Sequence, residues 1–101
     1  MLKKNAYLIR TDTGKRIPIT KKQFLIGKEK SKVDYCIAGD TTVSRIHALI
    51  LNEAGGYYLE DQRSTNFSYY EGQQIPEYKP VRLENGKKFK LSDVEFEFHE
   101  G

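Results

Sequence analysis

No stretch of the chain is apolar over anything like the roughly 20 residues that a membrane-spanning helix needs. The opening MLKKNAYLIR holds two lysines and only a few apolar residues before Arg10. The hydrophobic segment of a signal peptide is therefore missing, and a cytoplasmic location is expected. The single cysteine, Cys36, excludes an internal disulfide and a thiolate metal cluster. It fits a reducing compartment and is expected to serve as a small buried hydrophobe. Helical periodicity, internal repeats and low-complexity linkers are all lacking. Two catalytic signatures are missing as well. There is no G-x-S-x-G elbow, so Ser44, His47 and Asp61 do not amount to a hydrolase triad, and GKEKS at Gly27 lacks the first glycine of a phosphate-binding P-loop. Neither an enzyme nor a metal or cofactor site is expected.

What is present is a strand period of two. VEFEFHE puts Val94, Phe96 and Phe98 on one face and Glu95, Glu97 and His99 on the other. Glycine turns separate further short apolar runs: TGK between AYLIRTD and RIPIT, AGG between HALILNE and YYLED, and NGK between PVRLE and KFKLS. Each of these pairs is expected to form a hairpin. Residues 28–34, 38–44 and 62–80 are expected to be irregular. A chain of 101 residues punctuated in this way predicts one all-β domain spanning 1–101, a sandwich or a barrel.

Charge is uneven along the chain. The net charge is only +3, but residues 1–34 hold ten cations (Lys3, Lys4, Arg10, Lys15, Arg16, Lys21, Lys22, Lys28, Lys30, Lys32) against three acids (Asp12, Glu29, Asp34). Such a segment suits an anionic partner, whether nucleic acid, an acidic lipid surface or a phosphorylated ligand, and equally a set of solvated lysines. Phe67, Tyr69 and Tyr70 read as base-stacking platforms, peptide contacts or partial core.

Polar donors concentrate at strand ends, where binding groups usually sit. Lys28 follows Gly27 after FLIG, Ser44 and Arg45 precede HALIL, and Ser64, Thr65 and Asn66 follow YYLED. If these loops converge at one end of a sandwich, they offer an ammonium, a guanidinium, two hydroxyls and a carboxamide. That set suits a phosphate: arginine can make two parallel hydrogen bonds to it, lysine adds a point charge, and hydroxyls and loop amides fill the remaining lone pairs. The amide of Asn66 has a donor side and an acceptor side, as a clamp on an extended peptide backbone requires.

Gly27-Lys28, Ser44-Arg45-Ile46-His47, Asp61, Ser64-Thr65-Asn66 and Gly72, in that order, resemble the blocks of the forkhead-associated (FHA) domain. The resemblance runs from about Ala6 to Phe98. It implies an FHA/SMAD-like β-sandwich of two mainly antiparallel sheets, an eleven-stranded family architecture whose loops at one end bind phosphothreonine peptides. By that resemblance Ser44 and Arg45 hold the phosphate, and Lys28 stands where the family arginine contacts phosphate or peptide. Thr65 helps form the phosphothreonine subsite and Asn66 bonds the ligand backbone. Gly27, His47 and Asp61 brace the loops. The implied role is a monomeric phosphothreonine-dependent interaction module in Ser/Thr kinase signalling. A phosphate-independent interaction domain or a single-stranded nucleic-acid binder is the alternative.

Two departures carry expectations of their own. Lys28 in place of arginine keeps the charge and loses the planar fork, which weakens that contact. Phe67-Ser68 stands where the family has glycine-threonine, so the loop after Asn66 is expected to differ in shape, because a bulky residue enters positive φ less cheaply than glycine.

Overall fold

A computed structural model describes residues 5–101, so Lys3 and Lys4 of the basic segment lie outside the described residues. Eleven strands form two sheets with a single turn of 3-10 helix at Lys30–Lys32. The six-stranded sheet has the order β2-β1-β11-β10-β7-β8, and the five-stranded sheet β4-β3-β5-β6-β9. In the first, β1 is Ala6–Arg10, β2 Lys15–Pro18, β7 Ser68–Tyr70, β8 Gln73–Gln74, β10 Lys88–Leu91 and β11 Val94–Glu100. In the second, β3 is Gln23–Gly27, β4 Tyr35–Cys36, β5 Ala48–Glu53, β6 Gly56–Asp61 and β9 Val81–Leu83. Every strand pairing is antiparallel except β3 with β4. The architecture is the two-sheet sandwich expected from the sequence.

The core follows from the strand alternation. Val94, Phe96 and Phe98 point inward from β11 and meet Leu8, Phe89 and Leu91 of the same sheet. Phe24, Ile26, Ile50 and Leu59 face them from the other sheet. Phe89 stacks on its cross-strand partner Phe96 at 5.3 Å between ring centroids, and Tyr57 meets Phe98 across the two sheets at 5.4 Å. Burying each of these aromatic side chains stabilises the sandwich by about 1.5–3 kcal/mol.

Two of the three expected hairpins form, β1–β2 and β5–β6. The third does not. The Asn85-Gly86 turn reverses the chain, but β9 pairs with β6 in one sheet while β10 pairs with β7 and β11 in the other. The turn crosses between sheets and is tied to β11, with Gly86 N–H donating to Phe98 O at 2.7 Å and Glu100 N–H to Asn85 Oδ1 at 2.8 Å. Residues 62–80 are not wholly irregular either. They contain β7 and β8, joined by a two-residue turn in which Glu71 (φ 49°) and Gly72 (φ 84°) both take left-handed conformations. Cys36 is half-buried rather than core, and its Sγ donates to Lys28 O at 3.4 Å. It lies on β4, a two-residue strand at the edge of the five-stranded sheet.

Candidate functional site

The site is built where β3 leaves its sheet, β5 enters and β6 leaves. Because the three strands are antiparallel neighbours, with Ile26 opposite Ala48 and Ala48 opposite Asp61, their connecting loops gather at one end. Lys28, Ser44, Arg45, Thr65 and Asn66 all line a single cavity there. Glu29, Lys32, Thr42 and Ile46 complete much of its wall.

The loops are pinned to one another by backbone bonds. Lys28 N–H donates to Ser44 O at 3.0 Å, Glu29 N–H to Arg45 O at 3.2 Å and His47 N–H to Ile26 O at 2.9 Å. Gly27 makes this docking possible: a Cβ there would stand 2.1 Å from Arg45 O and 2.7 Å from its carbonyl carbon. Its φ is not in the left-handed region, so glycine is needed for close approach rather than for a turn.

Side chains carry the bracing further. Ser44 Oγ accepts from Thr65 N–H at 3.0 Å, joining the β5-side loop to the β6-side loop. Asn66 Nδ2 donates to Thr42 O at 2.8 Å, and Thr42 is held in turn by Asp40 and Ser92. Asp61 is buried. Its carboxylate accepts the hydroxyls of Ser64 and Ser68 and the N–H of Ser64. Buried Ser64 is therefore part of the support and does not line the cavity. Arg45 and Lys28 are exposed, the arginine side chain 79% so, with Glu29 Oε1 3.8 Å from its Nε.

His47 is fully buried and spans both loops. Its Nδ1 accepts from Ser44 N–H at 3.1 Å, and Nε2 lies 2.9 Å from Phe67 O. A carbonyl can only accept, so the ring is the neutral Nε2–H tautomer. Ser44 Oγ points to Thr65 rather than to this imidazole, and Asp61 engages serines rather than the ring, so the three residues do not form a relay. Burial draws the His47 pKa below the usual 6.5, against the opposing pull of the Phe67 carbonyl and of Asp61 and Asp40. As pH falls, the unfolded chain thus takes up this proton before the folded one. The His47 contribution to stability is complete above about pH 6.5 and is lost from there down to the lower native pKa. The expected result in ring-nitrogen NMR is a neutral Nε2–H tautomer dominant at about pH 6.5, where an ordinary imidazole is half protonated. A titration midpoint at or above the usual histidine value would contradict it.

Phe67 adopts φ 67°, the left-handed conformation that glycine takes freely. The loop after Asn66 thus turns through a left-handed residue despite the missing glycine, at a cost of about 1–2 kcal/mol to a non-glycine residue. The Phe67 carbonyl is aimed inward, where it accepts from His47 and from Ser92 N–H at 3.0 Å, while the residue as a whole is 45% exposed. Three wall residues were not legible in the sequence as site residues: Glu29 and Lys32 counted only as charges of the basic segment, and Thr42 has no spacing to mark it. Among the described residues no group of His, Cys, Asp and Glu is placed to hold a metal ion.

The FHA domain sequence profile matches residues 24–92. Among solved structures, Mycobacterium tuberculosis EmbR in complex with a low-affinity phosphopeptide is 28% identical with a TM-score of 0.86, over 94% of this chain and 24% of that one. This chain thus spans about a quarter of that protein's length. The N-terminal FHA domain of S. cerevisiae RAD53P, in complex with a phosphothreonine peptide, is 19% identical with a TM-score of 0.83, over 96% and 94% of the two chains. The FHA domain of Chlamydia trachomatis CT664 is 19% identical with a TM-score of 0.79, over 95% of each chain. None of the curated proteins matches the chain in sequence. The profile covers well over half the chain, and the sandwich and its loop-end blocks agree with it: the chain belongs to the FHA domain family.

Proposed function

We propose that residues 1–101 form one FHA domain, with a core of about 6–98, that binds phosphothreonine-containing proteins through the loop-end cavity and acts in Ser/Thr kinase signalling. One observation carries the reading: a lysine, an arginine, two hydroxyl residues and an asparagine from three separate loops line one cavity at the end of an FHA sandwich. The ligands named for the EmbR and RAD53P structures, a phosphopeptide and a phosphothreonine peptide, support it. Ser44 and Arg45 hold the phosphate, Lys28 adds charge and Thr65 shapes the subsite. Asn66, one of whose two Nδ2 hydrogens is bonded to Thr42 O, offers its Oδ1 to a ligand backbone N–H. Gly27, His47 and Asp61 hold the loops. The domain is a non-enzymatic, monomeric, cytoplasmic module, and no helix among the described residues is long and apolar enough to cross a membrane.

The arrangement of charge and aromatics weighs against an oligonucleotide groove. Arg10 is bound to Asp12 and Lys21 to Asp34, Arg16 covers the ring of Tyr7, and Tyr70 packs against the core with its hydroxyl accepting from Glu84 N–H. Calorimetry with a library-selected peptide in phosphothreonine, phosphoserine and unmodified forms, beside an oligonucleotide, tests the reading. The γ-methyl group of phosphothreonine, packed against half-buried Ile46, is worth about 1–3 kcal/mol, so phosphoserine should bind roughly ten- to two-hundredfold more weakly. Equal affinity for phosphorylated and unmodified peptide would end the proposal.

A further inference from the structure

Glu29 is the one acid among the described residues that line the cavity. Its backbone N–H is bonded to Arg45 O at 3.2 Å, its Oε1 lies 3.8 Å from Arg45 Nε, and its side chain is 30% exposed against 79% for the arginine. Among the described residues the carboxylate also accepts one long hydrogen bond, 3.4 Å, from Ser31 Oγ. Among the described residues no carboxylate lies within ion-pair distance of Lys28 or Lys32, so of the three cations around the cavity only the arginine is countered.

We infer that Glu29 is a built-in counter-anion from which the ligand's phosphate must take Arg45, and that it thereby sets the affinity and the salt dependence of the site. This rests on the phosphopeptide reading above. The exposed guanidinium is free to turn toward a bound phosphate, whereas the Glu29 backbone is tied to the Arg45 carbonyl and its side chain is the less exposed of the two. Its negative charge thus remains at the cavity wall, near the dianion, after the arginine has turned away. The two anions repel each other across a few ångströms of partly solvated protein, an interaction that salt screens strongly. No packing depends on the charge, since the backbone bond to Arg45 O survives in glutamine.

The test is an NMR titration with N-acetyl-O-phosphothreonine N-methylamide, a probe that carries the phosphate and little else. It is run on the unaltered domain, on Glu29→Gln and on Glu53→Gln, the last at the far end of β5. Glu29→Gln should tighten binding by roughly three- to tenfold at about 0.01 M salt, and the gain should shrink below about twofold near 1 M. Glu53→Gln should bind as the unaltered domain does. Unchanged or weaker binding by Glu29→Gln, or a gain of the same size at both salt concentrations, overturns the inference while leaving the functional reading standing. A probe that moves no amide of Ser44 or Arg45 in any of the three proteins sinks both.

Discussion

Replacing Arg45 with alanine is expected to weaken phosphothreonine-peptide binding by about thirty- to a thousandfold, or roughly 2 to 4 kcal/mol, while leaving the fold intact. The side chain is 79% exposed and its nearest acid, Glu29, is 3.8 Å away. Exposed ion pairs contribute only about 0–1 kcal/mol, so the folded domain loses little with the guanidinium. In the proposed complex the guanidinium would be a charge-assisted, two-pronged partner of a doubly charged group, and that partner would be lost. Against a micromolar complex, worth about −7 to −8 kcal/mol in total, that is a large share. Lys28→Ala should cost less, because an ammonium supplies a point charge without the fork, and Lys28→Arg should tighten binding. Ser44→Ala and Asn66→Ala should each cost about 1–2 kcal/mol. Part of that loss would come through the loops, since Ser44 Oγ also holds Thr65 N–H and Asn66 Nδ2 holds Thr42 O. Arg45 is the cleaner probe for this reason. Calorimetry on Arg45→Ala, with its thermal transition recorded beside it, decides the matter: unchanged affinity in a folded variant would remove the arginine from the phosphate site.

The strands that could be read from the sequence are those whose alternation is uninterrupted. In VEFEFHE each inward position is apolar and each outward one polar, and Val94, Phe96 and Phe98 are indeed buried. The NGK turn misled because turn chemistry specifies a reversal of direction, not which sheet receives the next strand. That choice lies with Leu83 opposite Tyr57 and Phe89 opposite Tyr70, contacts distant in sequence. Strand β7 escaped because its first inward position is a serine. Ser68 is fully buried, which its side chain tolerates only because Asp61 accepts its hydroxyl, and that partner is visible only in three dimensions. The turn between β10 and β11 escaped for another reason: Ser92 takes φ 58° there with no glycine to announce it. At the site, Lys28, Ser44, Arg45, Thr65 and Asn66 stood out as polar groups at the ends of apolar runs, and all five line the cavity. Glu29 did not stand out. An acid among lysines reads as an ordinary surface charge until its backbone is seen bonded to the arginine it faces.

Gly27→Ala should be the most damaging small substitution in the domain for stability, costing about 3 to 5 kcal/mol. The added methyl would meet Arg45 O at 2.1 Å, Arg45 C at 2.7 Å and Ile46 Cα at 3.0 Å, all backbone atoms that cannot swing aside as a side-chain tip can. Either β3 or the Ser44–Arg45 segment must retreat by about an ångström, a strain that in packed interiors costs roughly 1–3 kcal/mol. The retreat would also stretch the bonds from Lys28 N–H to Ser44 O and from Glu29 N–H to Arg45 O, adding about 0.5–1.5 kcal/mol for each one lost. For a domain of this size the sum corresponds to a fall of about 15 °C or more in the unfolding midpoint. The damage should also be local. In the fraction that remains folded, the amides of Lys28, Glu29 and His47 would exchange with solvent faster, whereas those of β1, β10 and β11 in the other sheet would keep their relative order of protection. Phosphopeptide affinity should fall too, because Ser44 and Arg45 ride on the displaced segment. Urea and thermal unfolding of Gly27→Ala measure the first effect, and hydrogen exchange the second. A loss of under about 1 kcal/mol would mean that the two backbones are not held against each other, and with that the bracing of the cavity loops by β3 would have to be abandoned.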